Sequence, residues 1–147
     1  MRMGTRLALL AILVSGCATS APVESRPLAG EEATLVRAAV VAAERGERDV
    51  RERVAALLGR FPESVDGRRL RQNLRLAAGE SWQVYEEARA EAEGRPGDPE
   101  ALYLVARLIP ERGGQIDRFR RCAELDPSFF FAHYGLAVAS VQVGLLD

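Results

Sequence analysis

The chain has 147 residues, 20 of them basic and 21 acidic, and carries a formal charge of -1. With no basic excess to neutralise phosphates, nucleic-acid binding has no electrostatic support. Every basic residue is arginine, a usage that reflects a GC-rich genome more than any chemistry, and a hydrophobic share of 48% is enough for one globular domain with a core.

Arg2 and Arg6 precede an uninterrupted apolar run from Leu7 to Val14. Eight helical residues reach only about 12 Å, against roughly 30 Å for the hydrocarbon core of a bilayer. A charged start, a short apolar centre and small residues behind it read as a secretory signal rather than a membrane span. The run ends Val14-Ser15-Gly16-Cys17, which resembles the bacterial lipobox of an aliphatic residue, two small residues and a cysteine. The resemblance implies that residues 1–16 are removed, that Cys17 carries a diacylglyceryl group, and that the new amino terminus is acylated as well. Several acyl chains, at about 0.8 kcal/mol per CH2, hold a protein on a bilayer where one does not. An ordinary secretory signal followed by a chance cysteine is the alternative. Ala18, in place of Asp, implies by that family's sorting rule a lipoprotein of the outer membrane facing the periplasm.

Removing residues 1–16 takes Arg2 and Arg6 away, so the formal charge moves from -1 to -3, and the remainder is still long enough for one domain. Cys17 is then committed to lipid, so Cys122 has no disulfide partner within the chain. Residues 17–30 read as the lipidated cysteine and a tether, because Ala18 to Pro27 are small, polar or proline and lack apolar periodicity. Ten such residues extend at most about 35 Å.

Residues 31–147 read as one helical domain. Apolar residues at three- and four-residue spacing, such as Val50, Val54, Leu57 and Leu58, predict helices over Glu31–Arg45, Asp49–Arg60, Ser64–Ala78, Ser81–Glu93, Asp98–Ile109, Gln115–Leu125 and Pro127–Val143. Asp98-Pro99 and Asp126-Pro127 are helix starts, since Asp accepts hydrogen bonds from free first-turn amides and Pro at the first position sacrifices none. Gly46, Gly79, Gly94 and Gly113-Gly114 are expected to separate helices, and Pro110 to stop the fifth. No segment alternates apolar and polar residues long enough to be a strand, so the expected class is all-α.

The punctuation repeats. Pro62 to Gly79, Pro96 to Gly113 and Pro127 to Gly144 share one spacing, and Pro62 to Pro96 is twice that spacing. The step from Pro96 to Pro127 falls three positions short of it. The chain resembles the tetratricopeptide repeat, a helix–turn–helix unit with a period of about 34 residues. Leu102, Val105, Ala106 and Ile109 stand at the signature positions of a repeat's first helix, and His133, Leu136, Ala137 and Ser140 at those of the next. Ala106 and Ala137 take the small position, where the second helix packs close. Val50 and Val54, Val84 and Ala88, and Gln115 and Phe119 take the second-helix positions ahead of Pro62, Pro96 and Pro127. Around Arg68, Arg71, Gln72 and Arg75 the first-helix pattern fails, and that helix offers Leu70, Leu74 and Ala77 instead. The resemblance implies a short α-solenoid of stacked repeats, with a generic helical bundle as the alternative for residues 31–94.

In that family the first helices line a concave groove that holds a segment of a partner. Carried over by position, the groove residues are Arg69 and Asn73, Tyr103 and Arg107, and Tyr134 and Val138. Aromatic and guanidinium groups dominate interface energetics. Half-buried packing is the alternative for the two tyrosines, and a solvated charge for Arg69. His133, the one histidine, is expected to be buried in packing. Cys122 is expected inside beside Phe119, and one ring of Phe129-Phe130-Phe131 is expected at the surface. Glu86-Glu87 and Glu91-Glu93 read as solvated carboxylates beside Arg89. No phosphate loop, nucleophile motif or metal-ligand cluster stands in the sequence, so no catalytic residue, metal site or cofactor is expected.

The last helix, with Leu136, Val138, Val141 and Val143, would lack cover on one side, which suggests a truncated chain or a partner on that face. The sequence thus points to a membrane-anchored envelope lipoprotein, not an enzyme, acting as a protein-interaction scaffold. Its expected partners are an unidentified envelope protein or peptide, and the membrane through the lipid on Cys17. Two alternatives are the N-terminal docking or regulatory arm of a larger envelope hydrolase or peptidase, and a structural lipoprotein that self-associates.

Overall fold

The computed structural model describes residues 30–144. They form seven α-helices: α1 (Gly30–Glu44), α2 (Val50–Arg60), α3 (Val65–Ala77), α4 (Ser81–Gly94), α5 (Pro99–Ala106), α6 (Arg112–Leu125) and α7 (Phe130–Gln142). The described residues contain no strand, and the fold is all-α. The lipobox, Cys17 and the tether up to residue 29 lie outside the described residues.

Local chemistry sets the helix ends. Ser64 accepts a hydrogen bond from the Gly67 amide at 3.2 Å and so caps α3. Asp98 Oδ1 takes the amides of Glu100 (2.9 Å) and Ala101 (3.2 Å), with Pro99 opening α5 as expected. Gly46 and Gly79 have φ of 65° and 86°, a left-handed turn that side chains with a Cβ resist. Gly113 and Gly114, expected as a break, instead lie in the first turn of α6, where the Glu111 carboxylate caps the Gly114 amide at 3.1 Å. Gly94 likewise closes α4 without a positive φ. Helix α5 ends at Ala106, ahead of the expected Ile109, because Pro110 pushes the residue before it out of helical backbone. Helix α7 begins at Phe130 rather than Pro127. Asp126 Oδ1 accepts from Ser128 N (2.9 Å) and Oγ (2.6 Å), which ties those residues into a turn.

Each helix packs on its chain neighbours, and α1 also meets α3, α3 meets α5, and α5 meets α7; no even-numbered helix meets another among the described residues. The core follows this order. Ala39, Val54 and Leu70 join α1, α2 and α3, while Ala88, Ala92, Ala101 and Val105 join α4 to α5. The largest cluster lies among α5, α6 and α7, with Tyr103, Leu104, Ile116, Phe119, Cys122 and Phe129 at its centre. Of the six second-helix positions, Val54, Val84, Ala88, Gln115 and Phe119 are buried and Val50 is half-buried.

Helix α3 packs on two sides. Leu70 faces α1 and α2, with Leu74 packed beside it, whereas Arg68 and Gln72 are buried although the sequence offered no apolar residue there. Arg68 Nη1 meets Glu91 at 2.6 Å and Nη2 meets Glu100 at 3.2 Å, and Gln72 Nε2 donates to the Leu104 carbonyl at 3.2 Å. The inward positions are therefore taken at Arg68 and Gln72 by polar side chains. Arg71 does not join them and is exposed. Glu91 serves this seam and also pairs with Arg95, so it is not a freely solvated carboxylate.

Helix α7 departs from its expected register. Ala137 is exposed, and the close approach falls at Gly135, where an added Cβ would lie 2.7 Å from the Phe119 ring. His133, expected inside, is exposed with Nε2 2.8 Å from the Pro127 carbonyl oxygen. Phe129 is buried and Phe131 partly so, while Phe130 is 68% exposed.

Candidate functional site

Helices α3, α5, α6 and α7 enclose a concavity of about 220 Å³ lined in part by Arg69, Tyr103, Arg107, Tyr134 and Val138. Asn73, the sixth residue carried over by register, joins them through Arg107, whose Nη2 donates to Asn73 Oδ1 at 2.6 Å. All six thus come together along one side of α3, α5 and α7, although Arg69 and Val138 stand far apart in the sequence.

Their roles differ. Tyr103 is buried and forms the floor: its ring stacks on Phe131 at 5.3 Å and meets Phe129 edge-on at 5.6 Å and Phe119 at 6.0 Å. Burial raises its phenol pKa, against the pull of Arg107 and Arg69 nearby. Tyr134 is 56% exposed, stacks on Phe130 at 6.0 Å and, with Val138, makes a wall. Arg69 Nη2 pairs with Asp66 at 2.9 Å while its guanidinium lies 4.9 Å above the Phe131 ring, a cation–π contact. Arg69 is therefore not simply a solvated charge, and its Nε is buried without a hydrogen-bond partner.

Arg107 is held between helices. Besides Asn73, its Nη1 donates to Gln72 Oε1 at 2.8 Å and to the Arg69 carbonyl at 3.4 Å. All three acceptors are neutral. Burial, aided by Arg69, lowers the pKa of this guanidinium. The sequence did not single out Arg112, Gln115 or Phe119 for the groove, yet all three line it, and Arg112 donates to Gln115 Oε1 at 2.8 Å. A signal was present for Arg112: its neighbours three and four positions away are Ile109, Leu108, Gln115 and Ile116, with no carboxylate to balance it.

A second concavity of about 190 Å³ lies between α2 and α3, with Val54, Leu58 and Leu74 below and Arg51, Arg71 and Arg75 around it. Arg75 is engaged there by Glu87 and Glu80, whose hydrogen bonds raise its pKa. Cys122 lies within the α5–α6–α7 core, and burial pushes its thiol from 9.0 up to about 12, the state of a packing residue rather than a nucleophile. Among the described residues no group of three or more His, Cys, Asp or Glu is placed to hold a metal ion, and no helix is long and apolar enough to cross a membrane. No protein-family model and no curated protein matches the chain.

Proposed function

We propose that the chain is an outer-membrane lipoprotein, anchored through lipid on Cys17, whose helices stack as tetratricopeptide-like repeats and hold a segment of another envelope protein. The observation that carries this reading is the meeting of Arg69, Asn73, Tyr103, Arg107, Tyr134 and Val138 around one concavity, the place the repeat register assigns to a partner. The contacts of α1 with α3, α3 with α5 and α5 with α7 support it, because stacked hairpins bring their first helices side by side. The groove offers an aromatic floor, an aromatic–aliphatic wall and guanidinium donors, groups suited to binding a peptide segment.

Two measurements on the protein from its own host test the two halves. Intact mass should show loss of residues 1–16 and a lipid-sized increment that a Cys17→Ala variant lacks. A photo-crosslinking amino acid in place of Tyr134 should capture a discrete envelope protein, whereas the same group in place of Asp117, exposed on α6, should not. An unlipidated chain sinks the anchor, and equal capture from both positions sinks the groove.

A further inference from the structure

The exposed side of α7 and the arginines beside it form one surface of unequal character. From Pro127 to Gly144 the sequence has no formally charged residue, although 28% of the chain is charged. Within that segment Phe130, Tyr134, Val138 and Val141 are exposed at spacings of four, four and three, one stripe along the helix. At a rise of roughly 1.5 Å per residue the stripe is about 16 Å long, three helical turns. Contiguous apolar exposure of this kind marks an interaction surface. Tyr134 and Val138 belong both to the stripe and to the groove wall, so the stripe continues into the groove that holds Arg107 and Arg112.

Those two arginines set the polarity of what can lie there. Arg107 donates only to Gln72, Asn73 and the Arg69 carbonyl, and Arg112 only to Gln115. Among the described residues neither is in an ion pair, while Arg69, beside them, is already matched by Asp66. A cationic edge without counter-charge next to a neutral apolar stripe is complementary to a segment that is apolar on one side and acidic along one flank.

We propose that this surface binds an acid-flanked amphipathic helix of a partner protein, laid along α7 with its carboxylates at Arg107 and Arg112. The proposal rests on the reading of the groove as a protein-binding site and adds the chemistry and conformation of the segment bound. The apolar residues of the helix would cover Phe130, Tyr134, Val138 and Val141, and its acidic flank would reach the free donors of the two guanidiniums.

Three synthetic helices of about sixteen residues test it, sharing one leucine face and differing only in a flank of glutamate, glutamine or arginine. Each is titrated into the full chain in mild detergent and followed by fluorescence anisotropy. The glutamate peptide should bind about ten-fold more tightly than the glutamine peptide, with the arginine peptide weakest. Arg112→Gln, at an exposed side chain whose loss leaves the core intact, should reduce that preference, and Arg107→Gln with Arg112→Gln should abolish it. Val138→Asp should weaken all three peptides. Equal binding of all flanks, or no binding of any, overturns the proposal, and capture by the crosslinker at Tyr134 then tells whether the wider reading falls with it. A wild-type chain that sediments as a dimer, and as a monomer once Val141→Asp is introduced, assigns the stripe to a second copy and also overturns the proposal.

Discussion

Gly135 shows how much one missing methyl group decides. A Cβ there would stand 2.7 to 2.9 Å from three atoms of the Phe119 ring, and that ring is itself pinned against Tyr103 in the core. Gly135→Ala should therefore destabilise the fold by about 1–3 kcal/mol despite alanine's better helix propensity, as overpacking does. Urea unfolding with the same m-value and a lower midpoint is the expected record. Cys122 supplies a pH-dependent counterpart. An acid whose folded pKa lies above its unfolded one contributes fully below the unfolded value and loses that contribution as the pH climbs toward the folded value. For Cys122 the window runs from 9.0 to about 12, and burial raises Tyr103 in the same direction. Unfolding midpoints should fall as the pH climbs from about 9 toward about 12, and Cys122→Ala should flatten part of that slope.

Helix α3 separates what the sequence made legible from what it hid. All seven helices and most of their ends follow from apolar spacing and from the Asp98 cap, because those signals act within a turn or two of chain. The six residues carried over from the repeat resemblance do meet around one concavity, but that meeting is a matter of geometry and does not by itself give them a partner. The burial of Arg68 and Gln72 was not legible. A periodicity argument counts apolar side chains, and here the inward positions are satisfied by partners 23 and 32 residues away. The register of α7 was missed for a related reason: the helix is apolar on nearly every side, so its pattern names no preferred face, and the contact with Phe119 selects Gly135 over Ala137. The polar seam on α3 makes a prediction at this scale. Arg68→Ala leaves Glu91 and Glu100 without their shared guanidinium and should cost about 1–3 kcal/mol, discounted because both carboxylates keep some solvent access. A double-mutant cycle with Glu100→Gln, read by thermal unfolding, should return a coupling energy; strict additivity would refute the seam's role.

Across the whole molecule, stability is unevenly distributed. The cluster joining α5, α6 and α7 to Val65 of α3 contains ten buried residues, three of them aromatic, whereas that joining α1, α2 and α3 contains Ala39, Val54 and Leu70. In an array where contacts run mainly between neighbours, such a difference shows as separate opening rather than a single transition. Amide hydrogen exchange should thus be slowest in α5 and α6 and markedly faster in α1 and α2, and uniform protection along the chain would contradict this distribution.

The tie made by Arg107 has a mechanical consequence. Its guanidinium links α5 to α3 through three hydrogen bonds to neutral acceptors, and those bonds lie beside the groove rather than in the apolar core. Bonds at such a place exchange with water at small net cost, unlike the dispersion contacts of a packed interior. The spacing of α3 and α5 is therefore held in two ways, by these exchangeable bonds beside the groove and by the Arg68–Glu100 pair and Gln72–Leu104 bond deeper between the helices. An occupant that drew the Arg107 guanidinium toward itself would give up the first kind of tie and leave the second in place.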